Sequence, residues 1–379
     1  MKVAILSLPL SFNVGGILQQ YALKVAIQEL GHEVLILSRR RNRTFISLLL
    51  AKLKWKAISL IPLLGKAPEN KILGVESFKR KYLRERAADA YSSSRLRKQV
   101  LRFKCNSVIV GSDQVWNSKY SPDLLDYFLG FCNDIPLRKI SYAASFGHAS
   151  LSAPTDTIAL LSKQLQLFDF VSVRENSAIQ FCSKNLNRQS VALMPDPTVL
   201  LTKDHYANLV KSARFIPPTK NPYIFIYSLD VNPEIIKIAK DLQETTKYDI
   251  VFFDKGTASA IKSSLQYQSI DFPSESVKPT VESWLGCISN AQLVLTDSFH
   301  GSLFSCIFNT PFYTIGNHNR GMDRFVTLLS MLGLNELMIN SEFVQSPLGP
   351  PSNIDWKSVN TLLDKLRSKG SEFLSTVLS

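Results

Sequence analysis

Cysteine is scarce and poorly placed for bridging: Cys105, Cys132, Cys182, Cys287 and Cys306 are scattered, odd in number and without CxxC spacing. That pattern argues against a disulfide framework or a zinc site and for a reducing compartment. No apolar run is long and clean enough to span a bilayer. The nearest, residues 44–64 (TFISLLLAKLKWKAISLIPLL), is interrupted by Lys52, Lys54 and Lys56 and carries Pro62 near its end, so a spanning helix is not expected. Met1 to Leu8 has the look of a weak signal peptide, but Pro9 breaks it and no small-residue cleavage site follows; it reads as a first strand. Internal repeats, low-complexity tracts and metal-ligand spacings are also missing. What remains is a chain of 379 residues, 45% hydrophobic and only 20% charged, globular throughout and too long for one ordinary core.

Acidic residues are in deficit, and the deficit is local. The chain carries +13, yet residues 39–104 alone hold 19 Lys and Arg against 4 Asp and Glu, a net +15. Within this basic amphipathic insertion, residues 44–64 suit an interfacial helix on an anionic membrane, with lysine stems snorkelling and Trp55 at headgroup level. A solvated cover helix fits the same residues. Nucleic acid is not expected as a partner, because aromatic interleaving is sparse and no binding motif is present.

Strand-like runs repeatedly end in polar or glycine-bearing turns that open helices, the rhythm of parallel sheets with crossover helices. Lys2–Leu8 leads into Asn13, Gly15 and Gly16 and then a helix with Leu18, Tyr21, Ala22, Val25 and Leu30 on one face. Ser107–Val110 precedes Gly111–Asn117, Lys139–Ala143 precedes Ala144–Gly147, and Phe170–Val173 precedes Arg174–Ser177. In the second half, Gln292–Thr296 runs into Asp297-Ser298-Phe299-His300-Gly301, followed by a helix from Ser302 to Phe308. The rhythm predicts an α/β protein of two facing, Rossmann-like, doubly wound domains, 1–201 and 202–379, with closing helices at about 352–379 that pack back on the first. The polar clusters should then meet at the carboxyl edges of the sheets, where a helix N-terminus favours an anion. His300 in such a turn serves as an anion ligand or proton donor, or as a buried structural histidine.

Six of these stretches, in order, resemble the polysaccharide pyruvyltransferase family: Asn13–Leu23, Gly111–Asn117, Ser141–Gly147, Ser172–Glu175, Asp196–Thr198 and Thr296–Gly301. The resemblance implies the two-domain architecture of GT-B glycosyltransferases and transfer of pyruvate from phosphoenolpyruvate to sugar hydroxyls as a ketal. It makes Arg174 and His300 the donor-binding positions. Arg174 suits the task through its planar, permanently charged fork. His300 would hold phosphate or protonate the substrate, with helix amides near Gly301 and Ser302 completing the pocket. Some relatives have arginine two residues before this histidine, where Ser298 stands; Arg320 and Arg324 are candidates for the missing cation.

On the first domain, Asn13, Gly15, Gly16 and Gln19 are candidates for holding the acceptor. Asp113 reads equally as a general base or a helix cap, and Trp116 as a sugar platform or core. The expectation is a transferase using phosphoenolpyruvate as co-substrate, without metal or other cofactor, acting in capsule or exopolysaccharide assembly. It would work in the cytoplasm, peripherally at the inner face of the membrane if the acceptor is lipid-linked. The competing reading is a nucleotide-sugar glycosyltransferase of the same architecture.

Overall fold

A computed structural model describes residues 1–10, 13–42, 73–148, 151, 153–230, 233–253, 274–277, 280–316, 321–339 and 348–379. Strands β1 (Lys2–Ser7), β2 (Glu33–Ser38), β3 (Ser107–Val110) and β4 (Arg138–Ser141) form a sheet in the order β2-β1-β3-β4, parallel throughout. A short parallel pair, β5 (Ser172–Val173) and β6 (Ala192–Leu193), continues it through bridges from Ile140 to Phe170 and Ala144 to Val173. The second sheet comprises β7 (Tyr223–Tyr227), β8 (Asp249–Phe253), β9 (Ser274–Val277), β10 (Leu293–Thr296), β11 (Phe312–Ile315) and β12 (Met338–Ile339). Its order is β12-β11-β10-β7-β8-β9, again parallel. Both orders reverse direction once, between β1 and β3 and between β7 and β10, so each sheet has a switch point with a crevice at its carboxyl edge.

The crossover and flanking helices are α1 (Val14–Glu29), α2 (Leu73–Tyr82), α3 (Ser93–Phe103), α4 (Leu124–Tyr127), α5 (Thr155–Gln166), α6 (Asn176–Asn185), α7 (Lys203–Ser212), α8 (Pro233–Thr246), α9 (Val281–Asn290), α10 (Phe299–Phe308), α11 (Asp323–Leu332) and α12 (Trp356–Val377). The strands are nearly continuous apolar runs, as burial on both faces demands: β10 and β11 are buried at every position. One core runs from the α1 side of the first sheet into the second, joining Ile17 and Leu18 to Trp284, Phe304 and Leu374. A separate cluster around Trp116, Tyr127 and Phe128 fills the far side of the first sheet. The two halves therefore share one core.

The closing segment is one continuous helix, α12, rather than several. Arg138 donates to the carbonyl of Val377 at 3.1 Å, and Arg367 to that of Val199 at 3.1 Å, tying it to the first half.

The stretch 44–64 expected at a membrane, with Lys52, Lys54, Lys56 and Trp55, lies outside the described residues. Among those described, no helix is long and apolar enough to cross a membrane. Part of the basic surplus of 39–104 does not reach solvent. Arg39 is fully buried against Asp126 and Asp123, and Lys79 donates to the carbonyl of Leu10 at 2.8 Å. These cations serve as internal ties, which periodicity and charge counts cannot distinguish from a surface field.

Candidate functional site

The loops after β1, β3 and β5 build one wall. Asp113 follows β3 with a φ of 70°, a backbone state that Asp tolerates better than most residues. Its side chain does not cap a helix; Oδ2 accepts from Asn13 Nδ2 at 3.3 Å and Oδ1 lies 3.8 Å from Arg174 Nη2. Arg174, just beyond β5, is buried and donates through Nη1 to Asp196 Oδ2 at 2.8 Å. Its Nε and Nη2, the side-on edge of the guanidinium, are buried without a hydrogen-bond partner. Burial works against the charge of Arg174, but Asp196, Asp113 and Glu175 outweigh it and raise its pKa above the ordinary value. Glu175 Oε2 lies 4.0 Å from Arg174 Nε, while Oε1 accepts from Ser145 Oγ at 2.9 Å and the Phe146 amide at 3.0 Å. Burial pushes its carboxyl up, with Arg174 pulling in the opposite direction.

The opposite wall comes from the switch point of the second sheet. Ser298 caps α10 through a bond from the Gly301 amide at 3.4 Å, so the helix starts at Phe299. His300 therefore lies in the first helical turn instead of preceding a helix that starts at Ser302. Its Nε2 is 3.5 Å from Asp196 Oδ2, without aligned hydrogen-bond geometry. Its Nδ1 lies over Gly15 of α1, where a Cβ would come within 2.1 Å. Phe299 supplies a ring beneath two cations, with the guanidinium carbons of Arg174 and Arg324 at 4.7 and 5.7 Å from its centroid. Burial, and then the charge of Arg174, push Arg324 down to about 10, so it stays protonated at neutral pH. Asp297, the acid beside this wall, is drawn into the loop after β7 by the amides of Leu229 at 2.6 Å and Asp230 at 2.9 Å.

A model of the family described as polysaccharide pyruvyl transferase matches residues 13–319. The chain belongs to this family. No curated protein matches it in sequence. In structure it is similar to the UDP-GlcNAc 2-epimerase of Neisseria meningitidis bound to UDP-GlcNAc (TM-score 0.53, 10% identity, covering 100% of this chain and 99% of that one). It is also similar to the UDP-GlcNAc 2-epimerase of Methanocaldococcus jannaschii (TM-score 0.50, 13% identity, 97% and 93% covered). At such identities the likeness shows the fold, the two-domain Rossmann-like architecture of GT-B type.

Within this pyruvyl transferase, the cleft brings together Asn13, Gly15, Asp113, Arg174, His300 and Arg324. Other expectations need correction. Trp116 is wholly buried, donating to the carbonyl of Tyr127 at 3.0 Å and stacked on Phe128 at 4.9 Å, so it is core and no sugar platform. Gly301 is required for packing, since a Cβ would meet Thr296 Oγ1 at 2.3 Å. The Gly301 and Ser302 amides bond back to Ser298, which leaves neither for a ligand. The Gln19 amide is spent on Asp196 and on Ser112 Oγ. Arg320 lies outside the described residues. Asp196, given no role by sequence reasoning, receives Gln19, Arg174 and His300 together; its Asp-Pro-Thr setting signals only a capped turn. Burial would raise its carboxyl, but His300 and Arg174 outweigh burial and hold it well below the usual carboxylate range. Among the described residues, no group of three or more His, Cys, Asp or Glu is arranged to hold a metal ion.

Proposed function

We propose that this protein transfers pyruvate from phosphoenolpyruvate to two hydroxyls of one sugar, forming a cyclic ketal in capsule or exopolysaccharide assembly. The observation that carries this reading is the buried Nε and Nη2 edge of Arg174, which makes no hydrogen bond and is approached by Glu175 at 4.0 Å and Asp113 at 3.8 Å, gathered with the His300 imidazole around the Asp196 carboxylate. A lateral guanidinium edge binds an oxyanion through two parallel bonds, which suits either the phosphate or the carboxylate of the donor. Arg324, on the same Phe299 ring, supplies the second cation where Ser298 replaces the arginine of some relatives.

His300 delivers a proton to the donor's methylene carbon, which makes the adjacent carbon electrophilic. A sugar hydroxyl forms a bond to that carbon, its proton passing to Asp113, and the carbon–oxygen bond to phosphate breaks. A second hydroxyl closes the ring and loses its proton. Of the two hydroxyl protons, one replaces that given to carbon and the other leaves with inorganic phosphate. Asn13, exposed at the mouth, and half-buried Gly16 line the acceptor side. A lipid-linked acceptor would give the basic segment a use at an anionic membrane face.

Calorimetric titration with phosphoenolpyruvate in the presence of chelator tests the donor site and should show metal-independent binding. Incubation with candidate acceptors should release inorganic phosphate. Release of a nucleotide from a nucleotide sugar, with no response to phosphoenolpyruvate, would replace this reading by a glycosyltransferase.

A further inference from the structure

We infer that Asp196 is a positioning residue, one carboxylate that sets the Arg174 guanidinium and the His300 imidazole in register across the two halves of the molecule. The role rests on the reading of the site as a phosphoenolpyruvate-dependent transferase. Its two oxygens do different work. Oδ1 accepts from the Thr198 amide at 3.0 Å and Thr198 Oγ1 at 2.8 Å, which locks the carboxylate at the head of the turn Pro197–Leu200. Oδ2 faces the cleft and collects Gln19 Nε2 from α1, Arg174 Nη1 at 2.8 Å from the end of β5, and His300 Nε2 at 3.5 Å from α10. Three elements, one of them from the opposite sheet, are thus referred to a single buried oxygen.

Each engagement decides what is left over. Occupying Nη1 of Arg174 leaves Nε and Nη2 without hydrogen bonds, with Glu175 and Asp113 no nearer than 4.0 and 3.8 Å, as the edge an oxyanion would take. Drawing His300 Nε2 toward Asp196 turns Nδ1 to the start of α1, where the absence of a side chain at Gly15 makes room for the ring. An anion anchor and a proton carrier must keep a fixed separation to act on one small molecule, because misplacement by about 1 Å costs on the order of 10²-fold in rate. A cap for the 197–200 turn would need only Oδ1, and a counter-ion for Arg174 would need no contact with His300.

Two double-mutant cycles test the role, pairing Asp196→Asn with Arg174→Lys and with His300→Gln, each read as kcat and as KM for phosphoenolpyruvate. Asp196→Asn should raise KM and lower kcat together, reducing kcat/KM by about 10²-fold or more. Adding either second substitution should then cost less than about fivefold, although each alone costs more than about tenfold in the wild-type background. Independent, multiplying effects in the His300 cycle, whatever the Arg174 cycle gives, would reduce Asp196 to a structural counter-ion of Arg174 and overturn the inference. If Asp196→Asn does not fold, Asp196→Glu carries the same cycles, since it keeps the charge but displaces the oxygen by one methylene; the criterion is unchanged. Wild-type protein that neither binds nor turns over phosphoenolpyruvate refutes the proposed function instead. The His300 cycle is then read by thermal midpoint, where non-additive shifts support the link across the cleft and additive shifts overturn it.

Discussion

The starts of α1 and α10 meet across the cleft, and they are built oppositely. Both starts make the ordinary first-turn carbonyl bond, Ser302 to Ser298 at 3.1 Å and Ile17 to Asn13 at 3.0 Å, but at α10 the Ser298 hydroxyl also takes the Gly301 amide at 3.4 Å. At α1, the Asn13 side chain makes no capping bond and reaches away to Asp113 at 3.3 Å. A helix end favours anions through amides that are still unsatisfied. The cap signal around Ser298 therefore marks the end whose Gly301 amide is already taken. The α10 start contributes side chains, the imidazole of His300 and the ring of Phe299, whereas the α1 start contributes backbone and space. Asp196 addresses both, through Gln19 on one and His300 on the other.

Removing that shared carboxylate should give the largest effect. Asp196→Asn leaves buried Arg174 without its closest partner and should cost about 3 kcal/mol of stability at pH 7. The pH dependence has a definite sign. The native carboxyl of Asp196 is held below its unfolded value of about 3.9, so its stabilisation is complete above that value and is lost as pH falls toward the native one. The gap between wild type and variant should narrow by roughly 1 kcal/mol between pH 5 and pH 3. Denaturant titrations at both pH values check this. A gap that widens on acidification would mean that Asp196 is not ionised in the native protein.

His300→Gln probes what the α10 start gives to chemistry. It keeps a hydrogen-bond donor but cannot carry the proton, so kcat should fall by about 10²-fold with donor affinity largely retained. Arg174→Lys keeps the charge and loses the planar fork, so donor KM should rise more than kcat falls. Near-normal kcat in His300→Gln would leave the histidine, at most, a ligand for phosphate.

Much of this arrangement was legible because parallel strands carry their following loops to one edge. Once Ser107–Val110, Phe170–Val173 and Gln292–Thr296 are read as parallel strands, Asp113, Arg174 and His300 must approach a common cleft. The sequence could not show how much of each residue was already committed. Trp116 follows a strand-end motif like the others, yet stacks into the far core. Arg39 and Lys79 count as positive surface until their buried partners are seen. Asp196 is written like any turn cap, and only the tertiary fold brings Gln19 and His300 to its second oxygen. Local spacing encodes where a loop begins; competition among donors and acceptors from distant segments decides which atoms stay available.

The space at the α1 start can be filled deliberately. A Cβ at Gly15 would lie 2.1 Å from His300 Nδ1, whereas one at Gly16 would lie 3.1 Å from Asn13 Nδ2, at the end of a side chain that can move. Gly15→Ala should therefore displace the imidazole and lower kcat by about tenfold or more, with Gly16→Ala milder. Equal kinetics in the two variants would show that the ring does not depend on this contact.

The smallest effect separates the two helix starts most directly. Ser298→Ala removes a side-chain cap and should lower stability by about 1 kcal/mol. Asn13→Ala removes no cap and should change stability by less than about 0.5 kcal/mol, while freeing Asp113 of its amide contact. The kinetic consequences should reverse this order. Because Ser298 spends its hydroxyl on α10, donor KM should barely change in Ser298→Ala beyond what lost stability explains. Asn13→Ala leaves one oxygen of the proposed base unsupported, so kcat should fall severalfold while the thermal midpoint stays near wild type. Measuring midpoints and donor KM side by side decides the matter. A rise in donor KM for Ser298→Ala with an unchanged midpoint would make Ser298 a ligand, and the contrast between a closed and an open helix start would no longer hold.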